Sequence, residues 1–272
     1  MTITEQGVAH PRPEWMIAGE AWSHAATDWA YGFEPYARDA IEEVLRATRV
    51  ESGTSVLDVA CGAGLALARA QRRGATVSGI DAAAGLLEVA ARRAPGADLV
   101  HGSMFELPWA DEHFDVVLAF NGIWGGCDDA VTEMARVCRP GGRIGITFWG
   151  ATDRLDLLDY FITIGRSGPG VAEEIVSLAA INSPGEAERI LADARFAELE
   201  RGATDAILEL VDDDHAWRVL RSPGLVVPSL RQAGEEELRA HVLTSIAPFR
   251  GRDGSYRLTN ELVHVTAVLP SR

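Results

Sequence analysis

Residues 55–64 read Ser55-Val56-Leu57-Asp58-Val59-Ala60-Cys61-Gly62-Ala63-Gly64, and the run Leu65-Ala66-Leu67-Ala68 follows directly. Ser55–Ala60 has the apolar density of a buried strand, and the residues beyond Gly64 read as a helix through Arg73. Between them the glycines let the backbone turn tightly and admit a ligand close to the main chain. The N–H groups opening the next helix face the same spot and favour a carboxylate or phosphate. Asp81 ends the next strand, Ala75–Ile80, and lies 23 residues beyond Asp58. That is near the spacing of about twenty for an acid that takes two ribose hydroxyls.

The pattern continues outward. Ala82–Ala94 reads as a helix, Ala97–His101 and Phe114–Ala119 as strands, Asp128–Cys138 as a helix and Arg143–Trp149 as a strand. Strands alternating with helices imply a parallel sheet covered on both faces. Right-handed crossovers then place a ligand at the carboxyl ends of the strands. Downstream, helices are expected at Leu155–Arg166, Ala172–Ala180 and 184–194, and a long strand at Leu199–Leu210. Three helical stretches follow at 213–221, 224–232 and 234–247, then a last strand at Tyr256–Leu269. Upstream, Trp15, Trp22 and Trp29 recur every seventh residue and predict one helical stripe. Pro35 then opens a helix over Ala37–Thr48, while the first dozen residues read as a loose arm. The expected organisation is a helical cap at 1–50, a cofactor-binding core at 51–150, and at 151–272 the rest of the same domain.

Composition narrows the function. The 272 residues carry 40 acidic against 25 basic side chains, a net charge of −15. Such a balance argues against nucleic acid or an anionic membrane as partner. Every basic residue is arginine, which excludes a Walker lysine or a Schiff-base lysine. The three cysteines, Cys61, Cys127 and Cys138, are widely spaced and suggest neither a disulfide framework nor a metal site. With no apolar run long enough for a membrane span and no leader-like N-terminus, a cytoplasmic protein is expected.

The ligand can be read further. A dinucleotide fingerprint needs a third glycine, and Leu67 stands there. Asp58, inside the strand, would repel a pyrophosphate but suits an ammonium group. An amino acid joined to a nucleoside meets all the demands, and S-adenosylmethionine is that molecule.

On these residues the sequence resembles the class I S-adenosylmethionine-dependent methyltransferases, in the branch of ubiquinone- and menaquinone-biosynthesis enzymes and small-molecule methyltransferases. The resemblance is carried by VLDVACGAG (Val56–Gly64), GIDAAAGLLEVA (Gly79–Ala90), GSMFELPW (Gly102–Trp109), FDVVLAFNG (Phe114–Gly122) and EMARVCRPGGR (Glu133–Arg143). It implies an α/β, Rossmann-like, seven-stranded, mostly parallel sheet of order 3-2-1-4-5-7-6. The last strand is antiparallel, helices lie on both faces and a helical lid covers the edge. It also implies that Asp58 meets the methionine ammonium above Ala60, Gly62 and Gly64, and that Asp81 takes the ribose hydroxyls. Ala82, Leu86, Ser103 and Met104 would border the adenine, with Phe120 and Asn121 at the sulfonium. Ser103 stands where many relatives have Asp.

Methyl transfer is a displacement that needs alignment and dryness more than a fixed catalytic motif. His24 and His241 are the candidate bases, being on segments expected to cover the site. Trp22, Trp29, Trp124 and Trp149 are candidate walls of the substrate pocket. The helical stretches at 151–182 and 212–250 are long enough to roof it. The expected function is transfer of a methyl group to O or N, or to C, of a small, partly apolar metabolite in natural-product tailoring. S-adenosylhomocysteine is then the product, no metal is used, and a homodimer is allowed. The alternative is a protein of the same fold that binds the cofactor without transferring methyl, as a cyclase or scaffold.

Overall fold

The computed structural model describes residues 13–271, so the arm expected over the first dozen residues lies outside them. One seven-stranded sheet runs through the molecule in the order β3-β2-β1-β4-β5-β7-β6. Its strands are β1 (Ser55–Val59), β2 (Thr76–Asp81), β3 (Asp98–His101), β4 (Phe114–Phe120), β5 (Cys138–Trp149), β6 (Ala197–Leu210) and β7 (Tyr256–Val268). The first five pair in parallel, and β7 is antiparallel to both β5 and β6. The fold implied by the resemblance is the one observed.

The helices are α1 (Glu14–Ser23), α2 (Ala26–Asp28), α3 (Arg38–Ala47), α4 (Leu65–Arg72), α5 (Ala84–Arg93), α6 (Asp128–Val137), α7 (Leu158–Ser167), α8 (Val171–Ala180), α9 (Glu186–Asp193), α10 (Asp213–Leu220), α11 (Val227–Ala233) and α12 (Glu235–Ile246). One core layer gathers Val44 and Leu45 of α3 and Leu67 of α4 against Val56, Val116 and Leu118. The opposite layer packs Val131 and Met134 of α6 and Ile190 and Leu191 of α9 on Leu57, Val117, Ile144 and Ile146. Each such side chain contributes about 1.5–3 kcal/mol when taken out of water. Burial on both faces explains why β1 and β4 are nearly continuous apolar runs.

Two expectations need correction. The tryptophan stripe is not one helix: α1 stops at Ser23, and α2 leads into a π-helical turn, Trp29–Phe33, and a 3-10 turn, Glu34–Ala37. The break falls at Ala25, whose backbone leaves the helical region at φ −139° and ψ 42°; farther on, the Glu34 N–H reaches back to the Trp29 carbonyl in a π-type bond just before Pro35, which has no N–H to donate. In addition β5 begins at Cys138 rather than Arg143, with a register shift opposite Phe114 and Val116. Among the described residues no helix is long and apolar enough to cross a membrane.

Candidate functional site

In the order β3-β2-β1-β4-β5 the chain reverses its direction of travel across the sheet between β1 and β4. The carboxyl ends of those strands form the crevice where open α/β sheets take ligands. The loop after β1 has Ala60, Gly62 and Gly64 at positive φ (56°, 53° and 76°). A Cβ on Gly64 would also stand 2.8 Å from that of Ala90, so only glycine fits there. Asp81 welds the loop to β2: Oδ2 accepts from Gly62 N at 2.8 Å and Oδ1 from Ala83 N at 2.7 Å. Burial raises its pKa, and these backbone donors oppose the rise.

Acidic side chains converge on this loop. Asp58 is 2% exposed, and its Oδ1 has no hydrogen-bond partner. Burial, then the charges of Glu34 and Asp81, push its pKa well above the carboxylate range. Glu34 comes from the N-terminal cap and is 8% exposed. It pairs with Arg93 of α5, and the backbone N–H groups of Leu65 and Ala63 point at it. Burial still prevails and raises its pKa to about 7.

Over the carboxyl edge runs a chain of aromatic contacts. Trp22 meets Trp29 edge-on at 4.9 Å, Trp29 stacks on Phe33 at 5.0 Å, and Phe33 meets Tyr36 edge-on at 5.3 Å. Tyr36 stacks on Trp149, and Trp149 meets Phe161 of α7 at 5.7 Å. Beneath it Asn121, at a positive φ of 54°, is held by Thr147. Thr147 Oγ1 donates to Asn121 Oδ1 at 2.7 Å, which leaves Asn121 Nδ2 to donate to the Tyr36 hydroxyl at 2.9 Å.

The other candidates fall as follows. Ala82 lies under α1, where a Cβ on Gly19 would come within 1.8 Å of its carbonyl oxygen, and His101 Nε2 sits 2.9 Å from the same oxygen. Leu86 is buried, while Ser103 is half-buried and accepts from Phe105 N within its own turn at 3.2 Å. Met104 and Trp124 pack on the α6 and α9 side of the sheet, and Phe120 on the α3 and α4 side. Trp22 covers Gly224, and Trp29 lies beside Gly62. His24 is tied up by backbone: Nδ1 lies 2.7 Å from Ala21 O and Nε2 2.9 Å from Arg221 O. His241 is exposed on α12, which packs on α7, α10 and α11. Of the named residues, Asp58, Ala60, Gly62, Gly64 and Asp81 meet at the loop, and Trp22, Trp29 and Trp149 share the aromatic chain. Glu34, Tyr36, Arg93 and Thr147 belong to the same edge and carry no motif that singles them out. Among the described residues no group of three or more His, Cys, Asp or Glu is placed to hold a metal ion.

Comparison with known proteins agrees with this fold. Residues 56–142 match the methyltransferase-domain family. Demethylmenaquinone methyltransferase of Shouchella clausii is 36% identical over 113 residues, 38% of this chain and 48% of that protein. The match therefore spans less than half of either chain. Among solved structures, a phosphoethanolamine N-methyltransferase of Haemonchus contortus, in complex with S-adenosylhomocysteine, superposes with a TM-score of 0.59 at 15% identity, covering 95% of this chain and 61% of that one. The cyclase SpnF superposes with a TM-score of 0.54 at 19% identity, covering 87% of this chain and 82% of that one. Residues 56–142 thus match the methyltransferase-domain family, and the chain has the Rossmann-like fold of the methyltransferases on which it superposes.

Proposed function

We propose that the protein is an S-adenosylmethionine-dependent methyltransferase acting on a small, partly apolar molecule. The observation that carries this reading is the unpartnered, buried Asp58 Oδ1 beside Asp81 and Glu34. A buried acceptor without a donor costs about 1–3 kcal/mol, and a carboxylate more. An acidic, dry spot of this kind fits a ligand that brings an ammonium and a second positive centre. Asp58 would hold that ammonium, and Asp81 the ribose hydroxyls.

When bound, the cofactor supplies a methyl group on an activated sulfonium. The chain's own part is alignment and exclusion of water. Asn121, locked by Thr147 and Tyr36, fixes the floor at the end of β4. The aromatic chain from Trp22 to Phe161 joins the N-terminal cap to α7, which supports a roof over an apolar acceptor. With both ring nitrogens of His24 engaged by carbonyls and His241 exposed, the geometry favours an acceptor that needs no strong base. Tailoring of a natural product or a quinone-like compound, at O, N or C, suits such a site.

The test is a mass-shift screen of phenols, amines and polyketides with cofactor. A gain of one methylene unit supports transfer. Conversion without mass gain would favour the cyclase reading, and no conversion together with tight cofactor binding the scaffold reading.

A further inference from the structure

The glycine loop already holds a carboxylate. Glu34 Oε1 lies 3.6 Å from where a Cβ on Gly62 would stand. The N–H groups of Ala63 and Leu65, at the start of α4, point at its carboxylate, and Arg93 pairs with its Oε2. Free N–H groups at a helix start beside a guanidinium make a seat for an anion. Next to that seat Asp58 is 2% exposed with Oδ1 unpaired, an acceptor that calls for a cationic donor. An α-amino acid would satisfy both halves, its ammonium meeting Asp58 and its carboxylate meeting Arg93 and the α4 N–H groups. Only Glu34 is then surplus.

We propose that Glu34 is a built-in stand-in for the amino-acid carboxylate of the cofactor, filling its seat in the free protein and leaving it when the cofactor docks. The inference rests on reading this crevice as the S-adenosylmethionine site. Arg93 is fixed independently of Glu34: it also donates to the carbonyls of Ala63 and Ala30, and its guanidinium lies 4.6 Å from the Tyr31 ring centre. It therefore stays in place to receive the incoming anion. Glu34 sits at the junction of a π turn and a 3-10 turn, where the hydrogen-bond ladder is already irregular. Such turns recur where a segment has to adjust.

Calorimetry with two ligands tests this. S-adenosylhomocysteine has the amino-acid end, and 5′-methylthioadenosine has the nucleoside and thioether without it. Glu34→Gln removes the charge that competes for the seat. It should tighten S-adenosylhomocysteine binding about tenfold, the equivalent of ~1.4 kcal/mol, and leave methylthioadenosine unchanged. Glu34→Asp keeps a partner for Arg93 but falls short of the α4 N–H groups, so it should show a smaller gain of the same kind, and it serves if the glutamine variant does not fold. Equal or weaker S-adenosylhomocysteine binding by a folded variant would overturn the proposal, as would an equal gain for both ligands. If the folded wild type and variants bind neither ligand, the cofactor reading itself fails, and the proposal with it.

Discussion

The phenol of Tyr36 lies flat on the indole of Trp149, with centroids 4.8 Å apart and planes 8° from parallel. The stack joins the N-terminal cap to the end of β5 and turns the Tyr36 hydroxyl toward Asn121 Nδ2, 2.9 Å away. Tyr36→Phe keeps the stack and strands the amide, so it should lower stability by about 1–3 kcal/mol. Tyr36→Ala loses the ring as well and should cost about 3–5 kcal/mol. Urea unfolding of both variants measures the difference, and equal losses would mean that the hydrogen bond adds nothing.

Asp58 separates stability from function. Its buried carboxyl has an unpaired oxygen and faces the charges of Glu34 and Asp81. Asp58→Asn should therefore leave the free protein at least as stable as wild type while weakening S-adenosylhomocysteine binding tenfold or more, about 1.4 kcal/mol. Thermal melts and calorimetry on the same sample read both effects. A destabilised variant with normal binding would contradict the assignment.

Stability should fall as pH rises from 5 to 8. Glu34 has its pKa raised to about 7, chiefly by burial, with Arg93 and the N–H groups of Leu65 and Ala63 opposing. A raised pKa means that the folded protein binds the proton more tightly than the unfolded chain. The contribution is complete below about pH 4.5 and is lost as pH passes 7, amounting to roughly 3 kcal/mol at most. Asp58 and Asp81, raised by burial, act in the same direction. Denaturation midpoints at four pH values should trace the decline, and Glu34→Gln should flatten it. A midpoint rising toward pH 8 would show that the cap is not closed over a protonatable carboxyl.

The tryptophans divide by where they sit. Trp22 and Trp29 belong to the aromatic chain over the carboxyl edge, whereas Trp124 packs on the α6 and α9 side. Trp29→Ala opens the chain beside Gly62 and should lower turnover about a hundredfold through misalignment. Trp124→Ala should chiefly cost stability, about 3–5 kcal/mol. Single-turnover rates paired with melts separate the two, and normal chemistry in a merely destabilised Trp29 variant would end the wall idea.

Much of the fold was legible because each strand–helix unit announces itself locally. Val56–Val59 and Phe114–Phe120 are apolar runs ended by turn residues, and the sheet order follows from the resemblance those segments carry. The loop residues Asp58, Gly62, Gly64 and Asp81 were legible for the same reason, since their spacing is fixed by one β-α-β unit. Glu34 and Arg93 were not. They are 59 residues apart in sequence and meet only because the cap folds back across the loop, which no local pattern encodes. Nor does a seven-residue spacing of tryptophans reveal that the helix stops at Ser23, breaks at Ala25 and continues through π and 3-10 turns.

Titration of purified protein with S-adenosylhomocysteine by calorimetry, for wild type and Asp81→Ala, decides whether the crevice beyond β1 holds the cofactor. One molecule should bind per chain, and Asp81→Ala should bind far more weakly through loss of the acceptor proposed for two ribose hydroxyls. No heat of binding at millimolar ligand, or equal binding by folded Asp81→Ala, would contradict this reading.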